Sequence, residues 1–137
     1  MEKAKVYWAD FRTTKTENLM QKLVRLDKRA GIETLDFDGK FTAIKLHFGE
    51  PGNLAYLRPN YARALSEFIK NIGGRPFLTN CNTLYPGLRK NALDHLDTAF
   101  MDGFDLFACG CYVIIGDGLK GTDETYVDLQ RDRKSVV

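Results

Sequence analysis

The sequence predicts an α/β domain: a layered, mostly parallel sheet flanked by helices. Three observations carry this expectation. Apolar and β-branched runs alternate with segments of helical period, as in βα units. Gly31, Pro59, Gly73, Gly74 and Gly103 fall at segment boundaries. No repeat or low-complexity linker interrupts the alternation, and 137 residues suit one domain.

Lys5–Ala9 (KVYWA) reads as the first strand. Thr16 then caps a helix whose Leu19, Leu23, Leu26 and Ala30 share one face, with Gly31 ending it. Phe41–Phe48 (FTAIKLHF) is the second strand. Pro59 stands where a first helical residue tolerates a missing N–H, and Ala62, Leu65, Phe68, Ile69 and Ile72 form an apolar stripe that stops at Gly73 and Gly74. Arg75–Asn80 (RPFLTN) is the third strand. After the turn-rich CNTLYPG, a helix from about Leu88 to Met101 turns Leu93, Leu96 and Phe100 inward, and Gly103 closes it. Tyr112–Ile115 (YVII) is a short apolar strand, and Thr125–Leu129 (TYVDL) reads as another, cut short.

Composition narrows the function classes. Hydrophobic residues at 44% and charged residues at 28% are those of a globular chain, not a disordered or collagenous one. The 20 Lys+Arg against 18 Asp+Glu leave a net charge of +2, which gives nucleic-acid binding no support. No apolar run nears the roughly 18 residues of a membrane span, and MEKAKVYWAD lacks the layout of a secretory signal. A cytoplasmic protein with no membrane or nucleic-acid partner is the expectation. Cys81, Cys109 and Cys111 form an odd set without a disulfide framework, which fits a reducing compartment. The last six residues, DRKSVV at 132–137, read as the translation of a sequencing adapter, so the native segment is expected to be 1–131.

Ligands of open α/β sheets gather outside the carboxyl ends of the strands, and three unusual loops fall at such positions. In KLHFGEPGN, Lys45 and His47 share one side of a strand at period two, before a turn containing Gly49, Glu50, Gly52 and Asn53. His47 suits metal ligation or proton transfer, and Lys45 and Arg58 suit an anion. A satisfied structural histidine and a solvated Glu50 are the ordinary alternatives. In TNCNTLY, Asn80, Cys81, Asn82, Thr83 and Tyr85 offer amide, thiol and hydroxyl groups to a ligand, and turn chemistry is the alternative. His95, in the next helix near Asp94 and Asp97, reads as a capping or surface group. In CGCYVIIGDGLKGTDE, Cys109 and Cys111 lack the spacing of a zinc or iron-sulphur signature. Buried thiols are favoured there over a metal site completed by Cys81 or His47. GDGLKG supplies Asp117, Gly118, Lys120 and Gly121, yet matches neither the dinucleotide fingerprint nor the P-loop.

At KLHFGEPGNLAYLRP, TNCNTLYPGLRKNALDHL and VIIGDGLKGTDE the chain resembles the N-terminal part of the family known as domain of unknown function 362, often described as iron-sulphur-centre proteins. The likeness runs from about Lys5 to Asp123. It implies an α/β domain whose longer relatives carry 4Fe-4S clusters on C-terminal cysteine motifs that are absent from this chain. By motif position it carries over Lys45, His47, Gly49, Glu50, Gly52, Asn53 and Arg58, then Asn80, Cys81, Asn82, Thr83 and Tyr85, then Asp117, Gly118, Lys120 and Gly121. The implied function is redox or electron transfer with a small-ligand site at the strand ends, where His47, Glu50 and Cys81 are the catalytic candidates. Its partner would be a small molecule or an electron-transfer protein. A non-catalytic ligand-binding or interaction domain is the second class.

Overall fold

The computed structural model, which describes residues 3–125, contains one parallel sheet of three strands. β1 (Phe41–Lys45) pairs with β2 (Arg75–Asn80), and β2 pairs with β3 (Val113–Ile115). α1 (Leu19–Ala30) precedes the sheet, α2 (Pro59–Asn71) joins β1 to β2, and α3 (Ala92–Met101) with the single turn α4 (Leu106–Cys109) joins β2 to β3. The strands lie in chain order. Right-handed crossovers in one direction put both connecting helices on the same face. Burial agrees, since Leu78 and Ile115 from the sheet share the core with Ala62 of α2 and Ala92 and Ala99 of α3. On the other face Phe41 is 72% exposed and Ile114 49%. Parallel sheets are ordinarily covered on both faces, so this apolar face is unusual.

The expected strand at Lys5–Ala9 is not formed. The segment has no ladder partner among the described residues, and Val6 and Trp8 are exposed. Its alternation is strand-like, but a strand exists only where its N–H and C=O groups are paired. The segment is tied instead to α1, where Lys22 Nζ donates to Asp10 Oδ1 at 2.6 Å. Asn18, not Thr16, caps α1. Its Oδ1 accepts from the Gln21 N–H, while Gln21 Oε1 accepts from the Asn18 N–H. The Thr16 side chain is engaged with Thr14.

β1 ends at Lys45, three residues before the expected boundary, because the chain turns at His47 and drives Phe48 fully into the core. α2 and β2 follow their predicted spans. In α3 the buried side chains are Ala92, His95, Thr98 and Ala99, while Leu93 and Phe100 point outward. One residue of phase rotates a helix by about 100°, and small residues on the inner stripe let α3 approach β3 closely. Of the predicted trio, Leu96 packs against the core. Tyr112 lies outside β3 and gives the sheet only its carbonyl, which accepts from Leu78 N–H at 2.8 Å. Thr125 carries no strand, and the remainder of TYVDL, like DRKSVV, lies outside the described residues. No described helix is long and apolar enough to cross a membrane.

Leu78→Ala is expected to cost about 2–5 kcal/mol of stability, because it opens a cavity at the centre of the core. Leu93→Ala, on the exposed face of α3, should stay within about 0.5 kcal/mol of the parent in urea denaturation.

Candidate functional site

Parallel pairing brings the carboxyl ends of β1, β2 and β3, at Lys45, Asn80 and Ile115, to one end of the sheet. The three loops leaving them therefore meet. In the first loop Lys45 and His47 are both exposed, as the period-two reading requires. His47 Nδ1 accepts the Gly49 N–H at 2.9 Å, which leaves Nε2 as the proton-bearing nitrogen of the neutral ring. Gly49 is buried with φ 96°, and a Cβ there would stand 2.2 Å from Asp102 Oδ2 and 2.8 Å from the Tyr56 ring. No other residue fits. Pro51 and Gly52, the latter at φ 82°, occupy the centre of a turn closed by the Asn53 N–H to the Glu50 carbonyl. Asn53 Oδ1 accepts from Ala55 N–H. Gly52 and Asn53 thus shape the loop.

Glu50 joins the first loop to the second. Its Oε1 accepts from Arg89 Nε at 2.7 Å, from the Arg89 terminal nitrogen, and from the Tyr85 hydroxyl at 3.3 Å. Arg89 is only 3% exposed and also donates to the Tyr85 oxygen at 2.6 Å. These bonds hold the Glu50 carboxyl below its ordinary range: Arg89 is the main cause, burial opposes it, and Tyr85 and His47 add to it. The Arg89 carbonyl in turn accepts from both the N–H and the hydroxyl of Thr83. Arg89 is therefore a hub of the second loop, and sequence reading missed it. Its only prior signal was its place four residues after Tyr85, in the stretch expected to open a helix at about Leu88, whereas α3 begins at Ala92.

Asp117 joins the second loop to the third. Both its carboxylate oxygens accept from the Asn82 N–H at 3.0 Å, and Asn82 Nδ2 donates to Asp117 Oδ1 and to the Gly118 carbonyl. Gly121 lies close by at φ 70°, where a Cβ would reach 3.0 Å from Asp117 Oδ2. Asn80 is buried at the end of β2, and its carbonyl accepts from Gly116 N–H. Between these loops lies a recess of about 180 Å³, with Cys81, Asn82, Thr83, Lys90, Asp117, Lys120 and Glu124 in its wall. Cys81 is exposed, and neither Lys90 nor Lys120 has a carboxylate within ion-pair distance among the described residues. Arg58 stands apart at the N-terminus of α2, and no contact among the described residues brings it to the recess.

His95 corrects the surface reading. It is fully buried, edge-on to the Phe48 ring, and neither ring nitrogen has a hydrogen-bond partner among the described residues. The charges that act on it are Arg89, Asp117, Glu50 and His47, all from the three loops. Burial first, then Arg89 and His47, push its pKa down to about 4, against Asp117 and Glu50, so the core holds a neutral imidazole. Cys109 and Cys111 are buried free thiols, and burial raises Cys109 to about 11. These cysteines do not fit a 4Fe-4S cluster, which takes four thiolates. Among the described residues no group of three or more His, Cys, Asp and Glu gathers as a metal site.

A family model described as domain of unknown function (DUF362) matches residues 42–136, which is more than half of the chain. The match begins inside β1 and takes in all three loops. No curated protein and no solved structure matches the chain.

The buried imidazole sets a pH dependence with a definite sign. Its folded pKa lies below the unfolded value of about 6.5, so proton binding favours unfolding, and stability is full above about pH 6.5. Between there and about 4 the folding constant is expected to fall by up to tenfold per pH unit. His95→Phe should flatten that slope in urea titrations between pH 6.5 and 5, above the range where Glu50 protonates.

Proposed function

This chain belongs to the DUF362 family, and on that premise we propose that it is a binding domain for a small polar molecule carrying an anionic group, held at the carboxyl ends of the parallel strands. The observation that carries the reading is the recess itself. Two ammonium groups without an ion-pair partner among the described residues, Lys90 and Lys120, share its wall with the Cys81 thiol, the Thr83 hydroxyl and the Glu124 carboxylate. The Asp117 carboxylate beside them is already committed to Asn82, so its work is to fix the loops and not to repel a ligand. In this reading Lys90 and Lys120 take the anionic group, while Thr83 and the Asn82 amide orient the ligand. Cys81 lies at the mouth as the available nucleophile. His47, with Nδ1 engaged by Gly49, offers Nε2 at the neighbouring loop, and Glu50 and Tyr85 act by holding Arg89. Lys45 and Arg58 contribute long-range positive field only. The geometry favours the binding-domain reading. Electron transfer through a 4Fe-4S centre would have to draw its thiolates from outside the described residues.

The test uses inorganic phosphate and a small dicarboxylate, succinate, as probes followed by amide chemical shifts. Saturable shifts at Asn82, Thr83 and Gly121 are expected, weakened about tenfold or more in Lys90→Gln/Lys120→Gln with the fold unchanged. Binding that survives the double substitution, or shifts scattered over the surface, would refute the recess as the site.

A further inference from the structure

A recess of about 690 Å³ lies away from the strand ends, between α1 and α2. That is the size of a site for one small molecule. Its wall combines Met20 and Val24 of α1 with Ala64 and Phe68 of α2 and Ile72 just beyond it, and these give an apolar floor. α1 is strongly amphipathic, yet none of its residues is buried; Leu19, Leu23 and Leu26 share one face, while Met20, Val24 and Lys28 turn another side toward the recess.

The rim is chemically biased. Arg25, Lys28 and Arg29 line it from α1, against Glu33 and Glu67. Arg25 is held by Glu17 at 2.6 Å, and Glu67 by Arg63 at 2.7 Å. Among the described residues that leaves Lys28 and Arg29 as the cations without a carboxylate partner, against the single Glu33. The Lys28 ammonium stands 5.9 Å from the centre of the Phe68 ring, so a positive charge lies directly over the apolar floor. An apolar floor beneath an unneutralised cationic rim selects an occupant with an apolar body and one negative head.

We propose that the α1–α2 recess binds an amphiphilic carboxylate as a free molecule, its chain or ring lying on Val24 and Phe68 and its carboxylate at Lys28 and Arg29. α1 lies wholly before the part of the chain that matches the family model, and the recess does not touch the strand-end loops. This site is thus separate from the one proposed above.

The probe is dodecanoate below its micelle concentration, with dodecanol as the neutral analogue and two-dimensional amide spectra of the full chain as readout. Saturable shifts at Val24, Lys28, Ala64 and Phe68 are expected. Dodecanol should bind at least tenfold more weakly, as should dodecanoate to Lys28→Gln/Arg29→Gln. Both substitutions lie on exposed or partly exposed helix positions, and circular dichroism checks that the variant keeps its helices. Val24→Lys, which puts a charge on the floor, should abolish the shifts. Equal binding of acid and alcohol, binding unchanged in the double variant, or shifts confined to Phe41 and Ile114 on the open sheet face would each overturn the proposal.

Discussion

A parallel strand cannot pair with its predecessor until the chain has travelled back to the starting end, and this constraint organises everything else in the molecule. Each return is made by a helix, α2 and then α3. Each strand consequently hands the chain to a loop at the same end. Because the strands also lie in chain order, both return helices cover one face and the core is one-sided. The same constraint that collects the polar loops leaves Phe41 and Ile114 exposed on the opposite face.

At the loop end, the fold resolves a conflict between burial and charge. Arg89 is almost fully buried, and a buried guanidinium is tolerated only when its donors are used. Glu50 and the Tyr85 oxygen use them, and the Arg89 carbonyl fastens Thr83 at the same time. Asp117 does for the third loop what Glu50 does for the first, taking the Asn82 amide groups. His95 lies beneath as a neutral, unpartnered ring in apolar company. Its position next to Arg89 works against protonation, which keeps a second positive charge out of the core. The polar end of the domain is therefore a linked set of loops and not three independent turns.

Much of this was legible in the sequence where local chemistry dominates. Pro59 at the start of α2, the RPFLTN run of β2, and Gly31 at φ 87° after α1 all announce themselves. Asn82, Thr83, Asp117 and Lys120, drawn from two of the loops singled out in the sequence, line one recess. What was hidden depended on partners distant in the chain. KVYWA has a strand's alternation but finds no ladder, and no local pattern reports that. The phase of α3 was misread because leucines outweigh alanines on any apolar scale, while packing against β3 favours the small side of the helix. Arg89 and His95 were invisible for the same reason. A basic residue before a helix and a histidine between aspartates look like surface groups until the tertiary contact that buries them is known.

The claim that the three loops form one unit around Arg89 is tested most directly by amide hydrogen exchange in Glu50→Gln. Removing the charge that closes the hub is predicted to accelerate exchange together at Gly49, Asn82 and Thr83, with Leu78 in β2 unchanged. Acceleration confined to the Glu50 turn, with Asn82 and Thr83 as protected as before, would contradict the account.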